Sequence, residues 1–101
     1  MLDLPKSIMD DINKAIRILK EIGFTELYIF GSVVNKSYDD KSDIDFAVKG
    51  IPDNKYFYAI GKLDMELSHR FDLVNLDKDS YFNEILKKNS EMIKIAWTID
   101  I

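Results

Sequence analysis

The chain opens on a helical stripe. Ile8, Ile12, Ala15, Ile16, Leu19 and Ile22 recur at helical spacing, with Pro5 and Ser7 at the front and Gly23 as a stop signal. The spacing then shortens. "ELYIF" (26–30) is an apolar run of strand length, followed by Gly-Ser and a polar stretch, 35–42, that predicts a loop. "DIDFAV" (43–48) predicts a second strand, and "IPDN" a turn in which Asp53 is expected to cap the next helix. Tyr56, Ile60, Leu63 and Leu67 mark that helix, and "RFDLVNL" (70–76) predicts a third strand. Asp77 or Asp79 is expected to cap a helix running to about Lys88. The tail alternates: Ile93, Ile95, Trp97, Ile99 and Ile101 fall opposite Lys94, Ala96, Thr98 and Asp100, which predicts an edge strand whose apolar face, Trp97 included, packs on the body or on another chain. Helices interleaved with strands predict a single domain over 1–101. Its class is α/β (α+β), a small sheet flanked by helices.

One strand breaks the pattern. Side chains alternate along a strand, so Asp43 and Asp45 share one face while Ile44, Phe46 and Val48 share the other. With a rise of ~3.3 Å per residue, the two aspartates are roughly 6.5–7 Å apart at Cα. Like charges that close raise one another's pKa unless a cation sits between them. Oxygen-only ligands select a hard ion, Mg²⁺ or Mn²⁺. Asp72 is a second misfit, a carboxylate inside the apolar run "FDLVNL". If its strand neighbours the first, it completes a three-carboxylate cluster. Gly31 and Ser32, at the end of "ELYIF", supply a place where phosphate can approach the backbone.

Composition narrows the chemistry. The chain has no cysteine and one histidine, His69, so thiolate sites, disulfides and multi-His metal sites within the chain are out. The net charge of −4 argues against a broad footprint on duplex nucleic acid. No run is long and apolar enough to span a membrane, nothing has the form of a signal peptide, and a cytoplasmic location is expected. His69 reads as structural or exposed rather than catalytic. Tyr56, Phe57 and Tyr58 read as packing residues rather than a platform for bases.

The Gly-Ser, the interval to Ser-Asp-Ile-Asp and the later Asp72 in an apolar strand resemble the minimal nucleotidyltransferases of the DNA polymerase β superfamily, from about Ile8 to Leu86. The resemblance implies a mixed sheet flanked by helices, with Gly31 and Ser32 at the nucleotide phosphates and Asp43 and Asp45 as metal ligands. It implies that Asp72 both ligates metal and helps deprotonate the acceptor hydroxyl. Many members carry a small residue, a basic residue and glycine where this chain has Val34, Asn35 and Lys36. Lys36 is expected to stand in as the phosphate-binding cation, with Lys41 as a second candidate.

Short members of the family resemble antitoxins of toxin–antitoxin pairs that transfer AMP from ATP to a tyrosine of a helical HEPN-type toxin. The expected partners are therefore ATP with Mg²⁺ or Mn²⁺ and such a protein, in a homo- or hetero-oligomer. Two other readings stand beside this one: a non-catalytic module that binds nucleotide or partner, and a transferase for small molecules like the aminoglycoside-modifying relatives. The latter usually carry a second domain around the acceptor, and 101 residues leave little room for one.

Overall fold

The structure is a computed structural model that describes residues 4–31, 34, 43–78, 84 and 92–97. The expected loop at 35–42, the helix expected after Asp79, Ser32, Lys36, Lys41, Ile99 and Ile101 lie outside the described residues.

Helix α1 spans Lys6–Ile22. Pro5 stands at its start, and the Pro5 carbonyl accepts the Ile8 and Met9 N–H groups at 3.1 and 3.0 Å. Gly23 ends it at φ 108°, a conformation glycine adopts without a Cβ clash, and its N–H closes on the Leu19 carbonyl at 2.8 Å. Strand β1 (Glu26–Phe30) follows, then β2 (Ile44–Lys49) antiparallel to it. Next come a short 3₁₀ turn (Asp53–Lys55) and helix α2 (Tyr56–Glu66). The chain returns in β3 (Phe71–Asn75), parallel to β2, because α2 provides the crossover that a parallel pair needs. Strand β4 (Ile93–Trp97) lies antiparallel to β1, which gives the order β3-β2-β1-β4.

The mixed sheet is the one expected, with α1 and α2 packed on one face. Ile8, Ile12 and Leu19 from α1 and Leu63 from α2 meet Leu27, Ile29, Ile44, Phe46 and Val48 in a single buried cluster. Full burial of each aliphatic side chain is worth about 1.5–3 kcal/mol. The other face carries a smaller cluster, Ala47 and Leu76 with Tyr28, Phe30, Val74 and Met92 against them.

Three expectations change. The buried stripe of α1 runs through Ile18 and Asp11, while Ile16 and Ile22 are only partly covered. Asp53 makes no capping bond; it starts the 3₁₀ turn and pairs with Lys78 at 3.6 Å. Asp77 accepts the Gly50 N–H at 2.7 Å, tying the end of β3 to the end of β2, while the helix that it or Asp79 was expected to cap lies outside the described residues. Trp97 does not face the body. The β1–β4 register shifts between Leu27, opposite Ala96, and Tyr28, opposite Lys94, which leaves Ile95 as an extra residue. The bulge moves the alternation by one position, so Ala96 is buried and Trp97 is 58% exposed.

Candidate active site

Three strand ends meet at one edge of the fold. Strand β1 finishes at Phe30, opposite Asp45, and turns at Gly31 with φ 76°. The Val34 N–H folds back to the Gly31 carbonyl at 3.1 Å. Asp43 immediately precedes β2. Parallel pairing then sets Ile44 against Phe71 and Asp45 directly against Asp72. Strand alternation sends Ile44, Phe46 and Val48 into the core, as the sequence indicates, and keeps Asp45 on the opposite face.

Asp43, Asp45 and Asp72 line one open cavity of about 440 Å³. Tyr56, Ile60 and Asp64 line it from α2, and Arg70 from the residue just before β3. Partial burial pushes the Asp45 carboxyl above its ordinary range, and the charges of Asp72 and Asp43 push it further. Tyr56 lies in the same field: burial and the Asp72 carboxylate raise its hydroxyl. That hydroxyl donates to the Leu73 carbonyl, so α2 is pinned to β3 one residue from Asp72. Gly31 presses close to the carboxylate of Asp45, in a space that any Cβ would fill.

These donors fit a hard divalent cation, since they are carboxylates that repel one another and offer only oxygen. Among the described residues no group of three His, Asp or Glu side chains is set to hold a metal ion unaided. An ion such as Mg²⁺ usually takes one or two carboxylates and completes its shell with water and phosphate oxygens.

The matched family model, "Polymerase beta, Nucleotidyltransferase", covers residues 10–96. The chain belongs to the polymerase β nucleotidyltransferase family. A chain in the crystal structure of a toxin–antitoxin complex with AMP-PNP superimposes on this member of the family with a TM-score of 0.66. Its sequence identity is 25%, and the match covers 85% of this chain and 73% of that one. A chain in a variant of the MntA–HpeT toxin–antitoxin complex shares the fold at a TM-score of 0.58 and 23% identity, covering 79% of this chain and 69% of that one. No curated protein sequence matches the chain. No helix among the described residues is long and apolar enough to cross a membrane.

Of the expected site residues, the structure brings Asp43, Asp45 and Asp72 to one cavity and Gly31 beside the Asp45 carboxylate, while Ser32 and Lys36 lie outside the described residues. Tyr56, Asp64 and Arg70 join the cavity lining without having been singled out as site residues. Their signal is visible in retrospect. Tyr56, Ile60 and Asp64 stand four apart on one helix, and Arg70 stands two residues before Asp72.

His69 does serve structure. Its Nδ1 lies 2.6 Å from Oδ2 of the buried Asp11, which also accepts the N–H groups of Ser68 and His69 at 2.9 and 2.8 Å. This network holds α1 against the segment leading into β3. Sequence reasoning passed over Asp11, although its position between Ile8 and Ile12 falls on the apolar stripe.

Proposed function

We propose that the protein transfers AMP from ATP to a hydroxyl in a metal-dependent reaction, the acceptor being a tyrosine of a helical HEPN-type toxin that it neutralises. The observation that carries the reading is the register pairing Asp45 with Asp72, with Asp43 on the same cavity. The complex with AMP-PNP supports a triphosphate ligand, and the toxin–antitoxin neighbours support a protein partner.

Asp43, Asp45 and Asp72 would hold Mg²⁺ or Mn²⁺, which when bound neutralises the triphosphate and polarises the attacked phosphorus. Gly31, lacking a side chain, lets phosphate approach the backbone beside Asp45. Asp72 accepts the proton of the acceptor hydroxyl as its oxygen bonds to the α-phosphorus. The bond from that phosphorus to the bridging oxygen breaks, and pyrophosphate leaves. The cavity is open and its described lining is confined to one sheet end and one helix face, which suits a hydroxyl presented by a docked protein.

The test is incubation of the protein with ATP, Mg²⁺ and a small helical protein encoded beside it. The partner should gain the mass of one AMP, and the gain should vanish with Asp72→Ala. An unmodified partner with every nucleoside triphosphate and either metal rejects the transferase reading.

A further inference from the structure

Helix α2 presents three stripes in three directions. Ala59 and Leu63 are buried in the core, and Glu66 pairs with Arg17 of α1 at 3.7 Å. Tyr56, Ile60 and Asp64 line the acidic cavity. Phe57, Gly61 and Met65 each follow one of those three, ~100° further round the helix, so they run alongside the cavity. Phe57 is 80% exposed and Met65 83%. Of the large apolar side chains exposed among the described residues, only Trp97 lies outside α2. The stripe also touches the site, because the Phe57 ring meets the Tyr56 ring in a T-shaped contact with centroids 5.3 Å apart.

Gly61 is the odd member of this stripe. It lies inside the helix, where glycine is less stable than alanine, yet nothing stands within 4 Å of the place a Cβ would take. The fold of this chain therefore gives no reason for the missing side chain. Close approach of another chain between Phe57 and Met65 does.

Resting on the nucleotidyl-transfer reading, we propose that the acceptor protein docks on the Phe57–Gly61–Met65 stripe of α2, through an apolar patch beside its acceptor hydroxyl. The stripe is uncharged in a chain of which 32% of the residues are charged, so the surface that fits it is apolar rather than ionic. Three residues fall well short of the ~800 Å² that each partner buries in a stable interface. The occupant must therefore extend over neighbouring surface, and the open cavity adjoins the stripe. Asp72 lies on β3, separated by β2 from Gly31 at the end of β1, and the Tyr56 hydroxyl ties α2 to β3. A hydroxyl approaching Asp72 thus comes from the side that α2 borders, away from the phosphates at Gly31. A protein that delivers it covers stripe and cavity together.

The probe is the small helical protein encoded beside this chain, tested against wild type, Gly61→Gln and Met65→Ser. Both positions are exposed, and glutamine is the better helix former, so Gly61→Gln should melt no lower than wild type. Calorimetric titration with AMP-PNP in Mg²⁺ should agree with wild type within about twofold for both variants. Affinity for the partner should fall roughly tenfold or more, and KM for the partner in AMP transfer should rise while kcat changes little. Unchanged partner affinity in both variants overturns the docking face and leaves the transferase reading standing. A wild type that leaves the partner unmodified overturns both. Sizing that finds the wild type dimeric and both variants monomeric assigns the stripe to a second copy of this chain and overturns the inference.

Discussion

A Cβ added to Gly31 would lie 2.2 Å from Oδ2 of Asp45. The glycine and the carboxylate thus occupy adjoining space at the end of β1, and neither can grow without moving the other. Gly31 also has φ 76°, where an L-residue costs roughly 1–2 kcal/mol. Gly31→Ala is therefore expected to lower stability by about that amount and to displace Asp45. The rise in melting temperature with Mg²⁺ and ATP should shrink or disappear. An undiminished rise would show that Gly31 does not shape the site.

Asp45→Asn should separate stability from ligand response. Burial, then Asp72 and Asp43, raise the Asp45 carboxyl, so the fold favours its protonated form. That contribution is fully present below the ordinary carboxyl pKa of 3.8 and is lost as pH rises through the raised value. At neutral pH the charged Asp45 opposes folding, and the neutral amide should raise the urea midpoint of the metal-free protein. The same variant should lose the stabilisation by Mg²⁺ with ATP. A lower midpoint would mean that Asp45 supports the fold.

Asp11 predicts sensitivity to acid. Burial pushes its carboxyl up, but bonds from the His69 ring and from the Ser68 and His69 N–H groups outweigh that and hold it below 3.8. For a depressed carboxyl the stabilisation is complete above pH 3.8 and is lost as pH falls through the lowered value. Removing one member of a buried pair costs about 3–5 kcal/mol, a large share of the ~5–15 kcal/mol typical of a domain. Asp11→Ala should therefore approach unfolding at neutral pH. For the milder Asp11→Asn, the deficit in urea midpoint should narrow as pH falls below about 4. A deficit unchanged down to pH 2 would remove Asp11 as its source.

The bulge in β4 makes opposite predictions for neighbouring residues. Trp97 is 58% exposed, so Trp97→Ser should cost under about 1 kcal/mol in the isolated chain. Ala96 is buried opposite Leu27, and Ala96→Asp would force an unpaired charge against the core. A large loss at 97 and a small one at 96, measured by chemical denaturation, would restore uninterrupted alternation and contradict the bulge.

The sequence by itself determined the elements that depend on local geometry. A 3.6-residue stripe between Pro5 and Gly23 makes α1, because only that spacing gathers apolar side chains on one face. Alternation in β2 was enough to set Asp45 opposite Ile44 and Phe46, since each step along a strand reverses the side chain. What joins distant segments was decided only in three dimensions. Asp45 and Asp72 could be suspected of meeting, but their direct pairing depends on the parallel register, which packing of α2 and β3 on the sheet selects. Asp11 drew no notice in the sequence, because the partners that satisfy it, His69 and the Ser68 N–H, lie far along the chain. Arg70, Tyr56 and Asp64 each have an ordinary sequence context, and the crossover from β2 to β3 collects them around one cavity. The extra residue at Ile95 exists only relative to β1, because a bulge is a mismatch between two strands and neither strand alone encodes it.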